Sequence, residues 1–541
     1  MKDISSTGSF VDFTLENFIY VDKTVYIPQL VKLKRVFISR PRRFGKSLTL
    51  DTIATLFETG VEPYFKGTWI YDKWTEPTYP VLRLNFLDLD KYSLEHFKQK
   101  LNAIISSFAR DINVKNYEEK VEPEDTIYFL LDELRKEKRQ IVILIDEYDC
   151  QMTANINNET LYKQFQEKIK SFYANIKDKF AIKFLGITGV TRLKDVAIFS
   201  VGSDINDITN DSAYSQMIGF TRDEIKKYYI DYLKLASSYE NNCSVGDVTD
   251  TQLESMLDMM AQNYDGYCFD EDYEKKVFST WSVNKFFQTM IEKKKVQFGE
   301  YWYDNGGLPS ILVNYLKTHE LNIFEYLDKD KFLKVSSDDF KNPTALTTIN
   351  QNVLMCQTGY LTLRSDLNKT STVALGIPNG EIYKALNRLL ANNIFKGNTD
   401  ITDDYGRSLL EVGTVDDIIN LFNSALNSVS YDNYPIVSES SVQNMLKLYL
   451  LGAHQEVLSE VHEAKGRADL VVNTDNRRIV FEFKYAKNEA EAKSKLSEAV
   501  EQIKTRDYGN ILPKKNELIR IAAVFNADPK VRAFTENQIV P

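Results

Sequence analysis

Short apolar runs separated by helical patterns fill the first 190 residues of the chain. After the apolar run at residues 35–38, the segment from Ser47 to Glu58 has apolar positions with the period of a helix. This predicted helix ends before Gly60. Strands that alternate with helices are typical of a largely parallel α/β sheet. The runs that predict buried strands are residues 35–38, 81–86, 141–145 and 181–187.

The pattern changes after residue 221. Residues 222–430 contain charged, Tyr-rich helical segments with few strand signals, and they predict a mainly helical middle region of lid or winged-helix type. Turn residues at 431–436 precede a last unit, which begins with a helix-like stretch from Ser441 to Leu451. We therefore expect domains at 1–221, 222–430 and 435–541.

Composition and charge narrow the class of protein. A chain of 541 residues is too long for one core, and 43% hydrophobic with 27% charged residues is typical of soluble globular proteins. The four cysteines form no CxxC pair, which disfavours a disulfide scaffold or a zinc finger and fits a reducing compartment. The chain has no long apolar run and no signal-peptide pattern. We expect a cytoplasmic protein without a membrane span, and a secreted effector remains an alternative.

Net charge neither indicates nor excludes a nucleic-acid partner. The chain has a net charge of −10, whereas residues 435–541 carry 16 Lys and Arg against 15 Asp and Glu. The acidity is therefore confined to residues 1–434. A neutral tail is compatible with binding to phosphate, which depends on Lys and Arg.

A phosphate-binding loop is predicted between the first strand and its helix. In the pattern GxxxxGK[ST], Gly45, Lys46 and Ser47 match, while Arg40 stands in place of the first glycine. Gly45 lets the backbone approach phosphate oxygens, Lys46 reaches the β- and γ-phosphates, and Ser47 binds Mg²⁺. Arg42, Arg43 and Phe44 complete the predicted ATP-binding loop. The alternative is a basic loop with a chance GKS.

Acidic residues follow the strand at 141–145 directly, as in a Walker B motif. Asp146 is predicted to bind Mg²⁺, and Glu147 to act as the catalytic residue that orients the attacking water. Thr188 could sense the γ-phosphate, and Arg192 could neutralise charge in the transition state. Each of these residues could instead be an ordinary polar residue of a loop.

A second constellation lies near the C-terminus, where residues 466–472 and 478–484 predict a hairpin. Alternation puts Glu482 and Lys484 on one face. A turn with an even number of residues pairs Asp469 opposite Val480 and places it on that face, whereas an odd number turns it away. Asp469 and Glu482 could then bind Mg²⁺, and Lys484 could position the water that attacks a phosphodiester. The alternative is a polar-faced surface hairpin.

At these residues the chain resembles AAA-ATPase-like (P-loop) proteins with a C-terminal PD-(D/E)XK nuclease domain. The resemblance covers nearly the whole chain and implies a P-loop NTPase parallel sheet, a C-terminal restriction-endonuclease-like α/β domain, and ATP and Mg²⁺ as cofactors. It also implies that Arg40 is usual at its position and that Glu460 is a metal ligand or helper. Matching segments are Arg40–Ser47, Leu144–Asp149, Gly186–Val190, Asn206–Thr209, Ile218–Thr221, Tyr264–Tyr267, Trp281–Val283 and Gln357–Leu361.

The leading hypothesis is an enzyme in which ATP binding or hydrolysis controls a Mg²⁺-dependent nuclease. Its substrate would be DNA more readily than RNA, and its middle region could contact a protein partner or a second copy. A second hypothesis is that the protein is a nucleotide-dependent switch with an inactive nuclease-like scaffold. A third hypothesis is that it is an ATPase whose C-terminal domain binds DNA without cutting it.

Overall fold

A computed structural model describes the chain as two compact units, Met1–His319 with Phe332–Ile382, and Glu320–Lys331 with Tyr383–Pro541. The described residues exclude 177–179, 194–203, 305–309, 317–318, 320–322, 344, 396–401, 454 and 464–465. For 303–304, 310, 402–405, 456 and 459–463 only the backbone is described.

The helices and strands follow in chain order. The helices are α1 Phe10–Leu15, α2 Ile27–Leu33, α3 Lys46–Thr59, α4 Leu94–Asp111, α5 Pro123–Lys136, α6 Cys150–Ala154, α7 Glu159–Ile176, α8 Arg222–Tyr228, α9 Ile230–Asn241, α10 Asp250–Tyr264, α11 Thr280–Lys293, α12 Tyr301–Asp304, α13 Ser310–Leu316, α14 Ser337–Lys341, α15 Gln351–Gln357, α16 Gly380–Ile394, α17 Thr402–Val412, α18 Val415–Asn427, α19 Glu439–Gly452 and α20 Glu489–Arg506. The strands are β1 Arg35–Ser39, β2 Val81–Asn85, β3 Ile141–Asp146, β4 Ile182–Gly189, β5 Asn206–Asp207, β6 Leu333–Ser336, β7 Thr362–Leu363, β8 Thr372–Gly376, β9 Glu456–Glu463, β10 Gly466–Asn473, β11 Arg477–Ala486, β12 Glu517–Asn526 and β13 Ala533–Ile539. Among the helices that the structure describes, none has the length and hydropathy of a bilayer-spanning segment.

The first unit is built on a five-stranded parallel sheet in the order β2-β3-β4-β1-β5. The four predicted strands are β1 to β4, and the prediction of a parallel α/β sheet is confirmed. β3 is buried from Ile141 to Ile145 because helices cover the sheet, as its unbroken apolar run requires. The carboxyl ends of β1, β3 and β4 lie at one edge, where open α/β sheets bind ligands.

The middle region is mainly helical, as predicted, but it does not form a unit of its own. Its helices α8 to α11 share an aromatic core that includes Tyr229 and Phe287. A small antiparallel sheet, β6-β8-β7, adds strands too short to give a clear sequence signal. The expected boundary near residue 430 differs from the structure, in which the second unit already includes Tyr383 onwards.

The second unit contains a five-stranded sheet in the order β13-β12-β11-β10-β9. β9, β10 and β11 are antiparallel neighbours, whereas β11 and β12 are parallel and are joined through α20. Ala499 and Ile503 of α20 pack on Val480 and Ala522 of the sheet. Helix α18 belongs to this unit because its Phe422 packs against Phe481, with ring centroids 5.3 Å apart.

Arg40, at the end of β1, is a buried arginine that holds the parallel sheet to the segment after β5. Its side chain is 1% exposed, and its Nη1 donates to the carbonyls of Ser39 and Thr209 at 2.9 and 2.5 Å. The guanidinium lies 4.2 Å from the ring centroid of Phe269. Arg40, which stands in place of the first glycine of the phosphate-loop pattern, therefore anchors the end of β1 to the segment after β5.

Replacing Arg40 by Ala should destabilise the first unit by about 2–4 kcal/mol, because buried carbonyls lose charged donors. The four tryptophans, Trp69, Trp74, Trp281 and Trp302, all lie in this unit, so their fluorescence during urea unfolding reports on it alone. The control is Arg135→Ala, since the Arg135 side chain is 62% exposed in its pair with Asp132. Equal midpoints for the two variants would contradict the anchoring role.

Candidate functional sites

The loop between β1 and α3 has the backbone of an anion-binding turn. Gly45 has φ +103° and Arg43 has φ +66°, both in the left-handed region, so successive N–H groups turn toward the loop interior at the start of α3. Phe44 is buried and meets Tyr267 edge-on at 4.7 Å between ring centroids. The Arg43 guanidinium lies 4.4 Å from the ring centroid of Trp281. Aromatic residues of the middle region thus fix the loop.

Lys46 is buried inside this loop. Its Nζ donates to the carbonyls of Arg40 and Pro41 at 3.0 and 3.2 Å, and it lies 3.7 Å from Oε1 of Glu147. Burial raises the pKa of Glu147, and the charge of Lys46 opposes that shift. The amine is therefore held by weak acceptors that phosphate oxygens could replace.

Three polar side chains meet at the carboxyl edge of the sheet. Ser47 Oγ donates to Oδ2 of Asp146 at 2.5 Å, and the hydroxyl of Thr188 donates to Oδ1 of the same carboxylate. α3, β3 and β4 supply these residues because their ends converge at this edge. A hydroxyl beside a carboxylate is an oxygen donor set that suits Mg²⁺.

A cavity of about 350 Å³ opens beside the loop. Its lining includes residues 42–49 and Glu147 together with apolar side chains such as Ile27 and Phe220. A cavity lined by both cationic and apolar groups suits a ligand that has a phosphate chain and a flat organic group.

The structure does not bring Arg192 to this cavity. Its guanidinium pairs with Asp207 of β5, and its backbone N–H donates to Oε1 of Gln357 at 3.2 Å. Arg192 therefore joins the segment after β4 to its neighbours, whereas Arg42, Arg43, Phe44, Gly45, Lys46, Ser47 and Glu147 line the cavity.

In the second unit, the register of the hairpin differs from the predicted one. Val471, not Asp469, lies opposite Val480, and Leu470 lies opposite Phe481. The next position along the ladder puts Asp469 across from Glu482, on the same face. The predicted shared face is thus retained, but the partner of Asp469 was wrong by two residues.

Glu482 is a fully buried carboxylate with an incomplete set of partners. Lys484 Nζ donates to its Oε1 at 2.9 Å, while its Oε2 has no hydrogen-bond partner among the described residues. Burial, and then the charge of Asp469, raise the pKa of Glu482 to about 7. Asp469 Oδ2 accepts the backbone N–H of Phe483 at 2.8 Å. A buried oxygen without a donor, beside a second carboxylate, fits a divalent cation.

Glu439 is a site residue that the sequence did not indicate. It is the first residue of α19, and its Oε1 accepts from Lys484 Nζ at 3.2 Å. Burial opposes the charge of Lys484, but the surrounding carboxylates raise its pKa above the usual value. The predicted helical stretch begins at Ser441, so Glu439 lay just outside it, and the observed helix begins two residues earlier.

The remaining candidates are less clearly placed. The β9–β10 register puts position 460 across from Asp469, but the side chain of Glu460 lies outside the described residues. In the part of the chain that the structure describes, no group of three or more His, Cys, Asp or Glu residues could hold a metal. Tyr508 is buried, and its hydroxyl accepts from Gln502 at 3.3 Å and Arg506 at 3.0 Å, so it joins the residues of α20.

Comparisons with known proteins find a family match in each half of the chain. The family model described as "Predicted AAA-ATPase" matches residues 5–199, and that of the PD-(D/E)XK nuclease superfamily matches 437–535. A protein of Azotobacter chroococcum mcd 1, described as an uncharacterized protein in the vnfD 5′ region, is 26% identical over 532 residues, which cover 95% of this chain and 94% of that protein.

Two solved structures are also similar. The Walker-type ATPase of Pyrococcus abyssi has 11% identity and a TM-score of 0.35, covering 67% of this chain and 94% of its own. The Orc1 protein of Aeropyrum pernix in complex with DNA has 10% identity and a TM-score of 0.27, covering 69% and 95%. On the family matches, this chain combines a predicted AAA-ATPase domain over residues 5–199 with a PD-(D/E)XK nuclease superfamily domain over residues 437–535.

Proposed function

We propose that the protein binds and hydrolyses ATP and that its C-terminal domain cleaves phosphodiester bonds in nucleic acid, DNA more readily than RNA, under nucleotide control. The observation that carries the proposal is the buried Glu482 carboxylate, which has an unpartnered oxygen beside Asp469 and an amine, Lys484, at 2.9 Å. Oxygen ligands for a metal ion, with a neighbouring cation that can position water and stabilise negative charge, are the groups that a metal-dependent hydrolase uses.

At the nucleotide site, different residues would bind the phosphates, hold the metal ion and orient the attacking water. Lys46 and the N–H groups that begin at Gly45 would bind the β- and γ-phosphates, with Arg42 and Arg43 adding positive charge. Ser47 and Asp146 would hold Mg²⁺, which neutralises phosphate charge when bound. Glu147 would orient the attacking water, and Thr188 would fix the Asp146 carboxylate.

At the nuclease site, Asp469 and Glu482, with Glu460 as a further ligand, would hold Mg²⁺. The cation would stabilise charge on the phosphate when bound. Lys484, whose raised pKa keeps it charged, would position the attacking water by a hydrogen bond and stabilise negative charge as that water loses its proton to solvent. Glu439 would keep the Lys484 amine oriented toward Glu482. The middle region offers a surface for a second copy or a protein partner. The free thiols at Cys150, Cys243, Cys268 and Cys356 support a reducing, cytoplasmic setting.

Replacing Lys46 by Ala should weaken ATP binding by roughly 10- to 100-fold, because charge-assisted hydrogen bonds to phosphate are lost. Equilibrium dialysis with labelled ATP measures the affinity. Lys66→Ala, at an exposed lysine outside the loop, serves as the control. Unchanged binding by the Lys46 variant would remove the ATP site from this loop.

Replacing Lys484 by Ala should reduce Mg²⁺-dependent cleavage of DNA or RNA by at least about 100-fold, since the charged donor that positions the water and stabilises negative charge is lost. Cleavage is followed with and without ATP on single- and double-stranded substrates. Lys493→Ala, at an exposed lysine of α20, should cut like the wild type. If wild type and the Lys484 variant are equally inert on every substrate, the nuclease hypothesis is wrong. The hypothesis of a nucleotide-dependent switch with an inactive nuclease-like scaffold then takes its place.

Mg²⁺ binding should release a proton from Glu482 below neutral pH. Because its pKa is raised to about 7, the free site is protonated at pH 6 and ionised at pH 8. Binding should release about 0.9 proton at pH 6 and about 0.1 at pH 8. Calorimetry in buffers of different ionisation enthalpy measures this number. Glu482→Gln should remove the pH dependence, and proton release equal at both pH values would contradict the assignment.

A further inference from the structure

A second large cavity lies at the other edge of the parallel sheet. Its volume is about 600 Å³, and residues at or next to the starts of β1, β3 and β4 line it, namely Arg35, Gln140 and Ile182. The phosphate loop follows the carboxyl end of β1, so this cavity is at the opposite ends of the strands. The two cavities share no lining residue. We call the second one the basic groove.

Cations dominate the lining of the basic groove. Its ionisable residues are Lys32, Lys34, Arg35, Lys73, Glu76 and Lys183. Two of the cations are balanced, since Lys183 pairs with Glu76 at 2.6 Å and Arg35 pairs with Asp204 at 3.2 Å. For Lys32, Lys34 and Lys73 the described residues supply no ion pair. This concentration of positive charge is unlike the acidic balance of the first 434 residues.

Aromatic rings lie in or beside the basic groove. Phe180, which lines the groove, is 64% exposed although it is a large apolar residue. The Lys73 amine lies 4.4 Å from the ring centroid of Trp69, itself 40% exposed. Trp74 also lines the groove, and its Nε1 is buried without a hydrogen-bond partner among the described residues. A buried N–H of this kind costs free energy unless an acceptor reaches it.

We propose that the basic groove binds a single strand of nucleic acid. Lys32, Lys34 and Lys73 contact successive phosphates, and an unpaired base stacks on Phe180. A positive groove with interleaved rings is the arrangement by which proteins hold single strands without reading sequence. An acidic peptide could contact the lysines but would leave the exposed ring without a flat partner.

This inference goes beyond the nuclease, because it gives the ATPase domain its own contact with nucleic acid. Strand β1 is only five residues long and runs from Arg35 in the basic groove to Ser39 before the phosphate loop. A strand bound at one end and a nucleotide at the other would therefore contact the same element.

Fluorescence anisotropy of a labelled oligo-dT with the full chain tests the proposal, in EDTA to prevent cleavage and without ATP. The triple variant Lys32→Glu, Lys34→Glu, Lys73→Glu should bind at least 30-fold more weakly at low salt. The slope of log Kd against log salt should fall by about 2, as expected for three lost phosphate contacts to a single strand. The control Lys293→Glu, Lys294→Glu, Lys295→Glu makes the same change in net charge and should bind like the wild type.

Phe180→Ala should weaken oligo-dT binding by roughly 5- to 100-fold with an unchanged salt slope, and Phe180→Trp should restore it. Tryptophan fluorescence during unfolding checks that each variant is folded. Equal weakening by both triple variants, no effect of Phe180→Ala, or competition by poly-glutamate as strong as by unlabelled oligo-dT would overturn the proposal. Because this assay measures binding without metal, its outcome is independent of whether Lys484→Ala abolishes cleavage.

Discussion

The second unit depends on how a buried carboxylate is balanced. Glu482 is fully buried beside Asp469, and two neighbouring carboxylates in a poorly solvated place cannot both be charged without a cation. Lys484 supplies one positive charge, which it shares with Glu439. One amine does not balance three carboxylates, so the site as built retains a negative charge that either a proton on Glu482 or a divalent ion must offset. The fold tolerates this cost in the middle of β11, where the adjacent residues Phe481 and Phe483 are buried and apolar.

In the first unit, the buried charge that needs a partner is positive. Lys46 is buried in a loop whose remaining partners are carbonyls, and only Glu147, at 3.7 Å, brings a countercharge. The loop keeps its shape without phosphate because Phe44 and Arg43 are anchored in aromatic surroundings and because Arg40 points into the core. In loops that begin with glycine, the backbone provides that first turn, whereas here a buried guanidinium stabilises it. The loop is thus preorganised by side chains.

The sequence allowed predictions mainly where the spacing of residues along the chain places them close together in space. Lys46, Ser47 and Asp146 could be predicted as neighbours because strand, loop and helix follow one another in a fixed spacing. In the structure Ser47 donates to Asp146, and Lys46 lies beside Glu147. Glu439 was missed because its contact with Lys484 arises from the packing of α19 on the sheet, which no spacing along the chain encodes. The hairpin partner of Asp469 was wrong because the turn is centred one residue later in the chain than a pairing with Val480 requires. Thr474 and Arg477 already bond to each other, at 2.9 Å, which leaves only Asp475 and Asn476 at the tip.

The second compact unit includes residues before the predicted domain for a related reason. Periodicity identifies which face of α18 is apolar, but not which core covers that face. Phe422 packs with Phe481 and Phe534, so the helix is needed to close one side of the C-terminal sheet. A cut near residue 430 would expose that face and leave the strand pair that carries Asp469 and Glu482 without part of its core. Asp469 and Glu482 can be held close together only if β10 and β11 are rigid. Helix α18 therefore stabilises the strands that carry the site, although it contributes no residue to the chemistry.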